Sequence, residues 1–310
     1  MGVIDAIADG CFAVARRPYV LLPPVALDLF YWLGDRLTAR PLVDALIWSA
    51  QQGGTADPTT IDGLRAFERE SNLFSLLALG MKALVPALTG DQVARPWAQG
   101  TLDLGAWPLV LLGALALATL GLLALAVYLA GIAQLVRDEP LDLGQILRRA
   151  PVFWLRLLGL AALVVGALLL LGLPLLFCTA ILLLVGANPA PLVLLFFVPV
   201  LWLYCYLALA PEAIVMSDVG PLRAVKLSFR IVRRNFWPMI GLLAATLLIS
   251  QGFPFMWELF TRRVVGVPLA IVGNAFLGAG LTAAAMYFYR ERLALLDKSG
   301  AGSRESEAGK

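Results

Sequence analysis

Apolar runs long enough to cross a bilayer alternate along this chain with short polar joints, and the runs carry too few charges to be the buried helices of a soluble domain. Leu104 to Val136 is one such run. Leu157 to Tyr206 is too long for a single helix, and Gly186-Ala187-Asn188-Pro189 divides it into a hairpin of two. Met239 to Met256 and Val267 to Tyr289 complete the long runs. Tyr19 to Leu33 is a poorer span, because it holds Pro23, Pro24 and Asp28 and falls short of the ~20 residues a crossing helix needs. Pro24 is expected to break or kink it. The pattern therefore predicts an all-α integral membrane protein, a bundle of six spans in three hairpins near 19–33, 104–136, 157–185, 192–210, 239–256 and 267–289.

The joints have structure of their own. Residues 3–17 predict a short amphipathic helix with Ile4, Ile7, Cys11 and Val14 on one face. From Gly34 to Asp103 the chain is polar and rich in turn signals, with helices expected over Pro41–Gln51 and over Thr60–Leu84, the latter capped by Thr60. Residues 73–88 are apolar, but Asn72, Gly80, Lys82 and Pro86 favour an interfacial or re-entrant segment over a full crossing. A short helix carrying Arg148 and Arg149 should precede the third span, and the Gly, Ser and Glu-rich tail from Ser299 is expected to be disordered.

The clearest joint is Pro211–Phe236. Leu222, Val225, Phe229, Val232 and Phe236 follow helical spacing, and Arg223, Lys226, Arg230 and Arg233 follow the same spacing one residue later. A cationic stripe beside an apolar one suits a helix lying in the lipid interface.

Composition sharpens this picture. With 60% hydrophobic and 15% charged residues and a mean hydropathy of +0.84, the chain departs from soluble domains, which are about half apolar and a quarter charged. Net charge is only +3, so position matters more than total. Placing the N-terminus inside puts sixteen of the 24 Lys and Arg residues in inner segments, and six of the other eight lie in the long 34–103 loop, which translocates largely regardless of charge. Both termini are thus expected in the cytoplasm of a bacterial inner-membrane protein. Asp5 and Asp9 interrupt the apolar core a cleavable signal would need.

The chain has no histidine, which excludes Ser-His and Cys-His nucleophiles, His-ligated zinc or haem, and His proton relays. Three scattered cysteines give no disulfide framework. No metal, cofactor or nucleic acid is expected.

Each hairpin opens on the same device: a helical segment, an arginine pair and an aromatic at the mouth of a span. The pairs are Arg16-Arg17, Arg148-Arg149 and Arg233-Arg234, followed by Tyr19, Phe153 and Trp237. Internal duplication and the general gathering of arginines and aromatics at inner interfaces both account for this. The candidates for headgroup or partner contact are Arg16, Arg17, Arg148, Arg149, Arg223, Lys226, Arg230, Arg233 and Arg234.

Ionisable groups near lipid are the candidates for transport or chemistry. Arg156 and Glu258 can snorkel to opposite surfaces, and Glu212 can pair with the basic helix that follows it. Asp28 and Asn274 are the candidates for an intramembrane polar site, with helix packing the preferred reading of Asn274.

Leu203 to Leu243 resembles the membrane domain attached to some bacterial glycerophosphodiester phosphodiesterases and related stand-alone membrane proteins. The likeness lies in the order of Ala210-Pro211-Glu212, a turn at Gly220, Pro221-Leu222-Arg223-Ala224-Val225-Lys226-Leu227-Ser228, and Asn235-Phe236-Trp237. It implies a bundle with amphipathic cytoplasmic helices and no catalysis, since no phosphodiesterase metal constellation is present. The leading expectation is a non-enzymatic scaffold or lipid-interacting module. Its expected partners are anionic lipid headgroups and either another membrane protein or a second copy. A transporter or channel for a hydrophobic or lipid-like solute is the alternative, drawn from Pro23-Pro24, Pro174 and Pro199.

Overall fold

The computed structural model describes residues 2–53, 57–81, 93–188 and 190–308, with side chains described through Leu296 except at Glu70, Pro254, Phe255 and Glu258. Among these residues the chain forms eleven α-helices. They are α1 (Val3–Arg16), α2 (Leu22–Leu33), α3 (Arg40–Gln52), α4 (Pro58–Glu70), α5 (Trp107–Val136) and α6 (Leu143–Leu184). The others are α7 (Ala190–Leu207), α8 (Ala210–Met216), α9 (Pro221–Arg234), α10 (Phe236–Thr261) and α11 (Gly266–Ala308). The 3₁₀ turns Pro18–Leu21 and Leu73–Ala78 and a parallel pair of two-residue strands, β1 (Arg36–Leu37) and β2 (Thr101–Leu102), complete them.

Five helices among the described residues are long and apolar enough to cross a membrane: α5, α6, α7 running on into α8, α10 and α11. The sixth expected span is the shorter apolar stretch Pro18–Leu33, which rises about 26 Å against a hydrocarbon core of about 30 Å. Its prolines do not break it. Pro23 and Pro24 lie in the first turn of α2, where a missing N–H forfeits no intrahelical bond. Asp28 is consequently well inside the helix.

The core is built on α11, whose Ala270, Ala275, Ala279, Ala283 and Ala284 are fully buried or nearly so. Small side chains let a neighbour approach closely. That neighbour is α1, and the face it buries centres on Ala6, Gly10 and Val14; of the predicted face Val14 is buried and Ile7 and Cys11 are half-buried, while Ile4 turns out and is 81% exposed. A Cβ added at Gly10 would overlap the Gly280 carbonyl oxygen and come within 2.7 Å of the Ala284 nitrogen. Gly121 likewise gives α5 its close contact with the Leu73–Ala78 turn, where a Cβ would overlap the Leu76 carbonyl oxygen.

The expected helix over Thr60–Leu84 is interrupted. It starts at Pro58 behind Asp57 instead of Thr60, ends at Glu70, and restarts as the 3₁₀ turn, because Ser71 and Asn72 are extended. Asn72 stabilises the break: its Oδ1 accepts from Leu37 N at 3.2 Å and Phe74 N at 3.1 Å. From Lys82 the predicted 73–88 segment lies outside the described residues. Residues 94–99 of the 34–103 loop fold down on the end of α2. Trp97 Nε1 donates to the Leu33 carbonyl at 3.1 Å, Trp32 Nε1 to that of Ala94 at 3.0 Å, and Gln99 Nε2 to those of Gly34 and Tyr31 at 2.9 and 3.0 Å.

Two further expectations change. The Arg148-Arg149 segment is no separate helix, since α6 runs unbroken from Leu143 through Pro151 and Pro174 to Leu184. The backbone of α11 continues as a helix to Ala308, through the polar tail. Beyond Leu160, α6 exposes Leu170, Leu173, Leu176, Phe177 and Leu184, and α7 exposes Leu194, Leu195 and Phe197. A water-facing surface of that kind would be untenable, whereas lipid is a matching solvent for it.

Candidate functional site

Cationic side chains from α1, α5, α6 and α11 meet helix ends and turns at one end of the bundle. The last carbonyls of a helix lack intrahelical partners and carry a partial negative charge. Arg290 Nη1 donates to the Val136 carbonyl at 2.5 Å, Arg17 Nη1 to that of Glu139, and Arg137 Nη2 to those of Val215 and Met216 at 3.1 and 3.0 Å. Thus Arg290 of α11 caps α5, Arg137 at the end of α5 caps α8, and Arg17 ties the end of α1 to the turn that follows α5. Both capped helices end on an aspartate in the left-handed region, Asp138 at φ 57° after α5 and Asp218 at φ 52° after α8, a conformation Asp tolerates better than most residues. Asp218 pairs with Arg156 and lies 3.9 Å from Arg149. Arg156, expected to snorkel alone, therefore holds the α8–α9 turn against α6.

Helix α9 is set by punctuation at both ends. Gly220 is extended at the N-cap and Pro221 occupies the first helical position, where its fixed φ suits a helix start. Pro238 lacks the N–H that would bond the Arg234 carbonyl, so α9 stops and α10 begins at Phe236. Asn235 covers the break, its backbone and side-chain N–H groups both donating to the Ile231 carbonyl at 3.0 and 3.1 Å.

Around the helix axis α9 has three sectors. Ala224, Ser228, Ile231 and Val232 are buried against the bundle. Of the apolar stripe expected to face lipid, Val232 turns into the bundle, while Leu222 and Phe229 are 63% and 46% exposed and form the second sector with half-buried Val225. Arg223, Lys226, Arg230, Arg233 and Arg234 form the third, and all are exposed. Of these, Arg223, Lys226, Arg230 and Arg233 make no ion pair or hydrogen bond among the described residues. The apolar sector is fixed by an aromatic ladder in which Phe229 stacks on Tyr206 at 4.6 Å, Tyr206 on Trp202 at 5.7 Å and Trp202 on Phe236 at 5.5 Å.

Ser228 is the positioning residue that sequence reading missed. It is fully buried, its hydroxyl donates to the Tyr206 carbonyl at 2.6 Å, and it accepts from Leu209 N at 3.3 Å. It thereby satisfies both sides of the break between α7 and α8 while holding α9 there. The available signal was the spacing of Ala224 and Ser228, two small residues four apart in a helix otherwise made of long side chains.

The other predicted residues do not join one site. Arg16 is exposed with its guanidinium 4.3 Å from the Phe12 ring centroid, and Arg148 is exposed and unpaired among the described residues. Arg17 and Arg149 serve the contacts above. Asp28 is 0% exposed on α2 and Asn274 is buried on α11. Glu212 is 3% exposed and lines a cavity of about 350 Å³ among α5, α6, α7, α10 and α11. No group of three or more Cys, Asp or Glu side chains among the described residues could hold a metal ion. The side chain of Glu258 lies outside the described residues.

Fold and surface define the class as an all-α, multi-pass membrane protein. Compared with known proteins, the chain matches no family model, no curated protein and no solved structure.

Proposed function

We propose that this is a non-enzymatic, lipid-interacting protein of the bacterial cytoplasmic membrane. In this reading it crosses six times with both termini inside, and α9 is an amphipathic interfacial helix that binds anionic headgroups. The observation that carries it is the unpaired quartet Arg223, Lys226, Arg230 and Arg233 beside the exposed Leu222 and Phe229. An interfacial helix needs that arrangement: apolar side chains below the headgroups and long cations reaching up to them. Each cation near an anionic leaflet contributes on the order of 1 kcal/mol, so four amount to about three decades of preference. The likeness of Leu203 to Leu243 to phosphodiesterase-linked membrane domains belongs to the same reading and brings no catalytic residue with it.

The test is native mass spectrometry of purified protein titrated with phosphatidylglycerol or phosphatidylcholine. Wild-type protein should retain the anionic lipid preferentially, and a fourfold Arg/Lys→Glu variant that stays folded by circular dichroism should lose that preference. Equal retention by both proteins refutes the proposal. A second reading, passage of a lipid-like solute, is favoured by the cavity at Glu212, and a flux assay in reconstituted vesicles decides it.

A further inference from the structure

A polar crevice of about 210 Å³ opens at the same end of the bundle as the arginine caps, lined from the second half of α1, the turn after α5 and α11. That volume equals about seven water molecules, enough for a headgroup. Asp9, Phe12 and Arg16 recur at helical spacing on one side of α1, and Arg17 follows at its end. Asp138 lines the crevice from its left-handed turn, where its N–H bonds the Leu135 carbonyl at 3.1 Å. Tyr287 comes from α11, and the charges of Asp138, Arg290, Asp9 and Arg17 all act on its hydroxyl.

Opposite charges lining one crevice usually neutralise one another directly. Among the described residues these do not: Asp9 and Asp138 make no ion pair, and neither carboxylate accepts a hydrogen bond. Arg17 is held by the Glu139 carbonyl, and the Arg16 guanidinium lies 4.3 Å from the Phe12 ring centroid. The crevice therefore presents two carboxylates and two guanidiniums that are not matched to each other.

A simple anion would meet Asp9 and Asp138, and a simple cation would meet Arg16 and Arg17, so neither suits the whole set. A molecule carrying both charges does. A primary ammonium has three donors, and two carboxylates with the Tyr287 oxygen offer acceptors for all three; a phosphate takes paired N–H groups from a guanidinium. Helix α1 itself favours a lipid as the source, because Phe12 is 59% exposed beside the crevice and Ile4 is exposed on the same helix, giving hydrocarbon side chains to lie against.

We propose that this crevice binds the zwitterionic headgroup of a phosphatidylethanolamine-type lipid, its primary ammonium on Asp9 and Asp138 and its phosphate on Arg16 and Arg17. The site is separate from α9 and does not rest on that helix's preference for anionic lipid.

The experiment is native mass spectrometry of full-length protein titrated with phosphatidylethanolamine or phosphatidylcholine of the same chains, with free phosphoethanolamine as competitor. Choline has the same charges but no ammonium N–H to donate, so wild-type protein should retain phosphatidylethanolamine in preference. The double variant Asp9→Asn/Asp138→Asn should cut that preference about fivefold, the loss expected for two exposed charge pairs. Asparagine tolerates the left-handed conformation of residue 138 as aspartate does, and circular dichroism with a retained phosphatidylglycerol preference checks the fold. Asp62→Asn, an exposed carboxylate on α4, should leave the preference unchanged. So should the fourfold α9 variant, which lets the two readings fail separately. Free phosphoethanolamine at the lipid's concentration should not displace the lipid. Equal retention of the two lipids by wild-type protein, or an undiminished preference in the double variant, overturns the proposal, and displacement by equimolar phosphoethanolamine overturns the lipid as its source.

Discussion

Replacing Gly10 by alanine tests the packing of α1 on α11 with one methyl group. In an unhindered helix the change stabilises, because alanine is the better helix former by about 1 kcal/mol. At Gly10 the new Cβ meets backbone, lying 2.7 Å from the Ala284 nitrogen and closer still to the Gly280 carbonyl oxygen. Backbone cannot swing aside, so α1 and α11 must part by about 1 Å to restore ordinary contact. A gap of that size forfeits a quarter to a half of the dispersion well for each contact along the seam, and overpacking of this kind costs about 1–3 kcal/mol. The net expectation is destabilisation by about 1–2 kcal/mol. Gly166 on α6 provides the reference, since a Cβ there has nothing within 4 Å. Gly166→Ala should leave stability unchanged or raise it by up to about 1 kcal/mol. Reversible unfolding in mixed micelles of mild detergent and dodecyl sulfate, followed by circular dichroism, measures both. If Gly10→Ala is neutral or stabilising, the close seam between α1 and α11 is wrong.

Ser228→Ala should destabilise by about 1–2 kcal/mol in the same assay, because it leaves the Leu209 N–H and Tyr206 carbonyl unmatched in a buried position. Ser250→Ala, whose hydroxyl bonds only the Leu247 carbonyl of its own helix, should stay within about 0.5 kcal/mol; equal effects would deny Ser228 its special place. Orientation is read by labelling single cysteines at Gly63 and Gly220, two glycines with open space around them. In intact cells an impermeant maleimide should reach Gly63→Cys and not Gly220→Cys, and the opposite pattern refutes cytoplasmic termini.

The sequence showed the helices of this fold more plainly than their contacts, and the bilayer explains why. In a soluble protein an apolar face is the buried face. Here lipid and bundle interior are equally apolar, so the spacing of Leu222, Val225 and Phe229 shows where hydrocarbon lies without saying whose it is. What marks the bundle side is the presence of small residues. Ala6 and Gly10 turn inward with Val14 on α1, and Ala224 and Ser228 with Ile231 and Val232 on α9, while Ile4, Leu222 and Phe229 turn out. The cationic sector of α9 was legible because charge has only one good place to go. The Asp218 contacts with Arg149 and Arg156, and the Ser228 bonds to the α7–α8 break, join residues distant in sequence and have no local signature. The unbroken α6 was missed for a related reason: a helix in lipid has no alternative partner for its carbonyls, so Pro151 and Pro174 are absorbed and not used as stops.

The arginine caps on α5 and α8 have a consequence for how charge is counted in such a protein. Orientation is decided while the chain is still unpacked, when every Lys and Arg beside a span is equally visible. Folding then withdraws Arg17, Arg137 and Arg290 into main-chain carbonyls and Arg156 into an aspartate. The cations left exposed at that end are therefore a remainder, concentrated on α9. One set of cations serves twice in succession, first as an address and later as mortar.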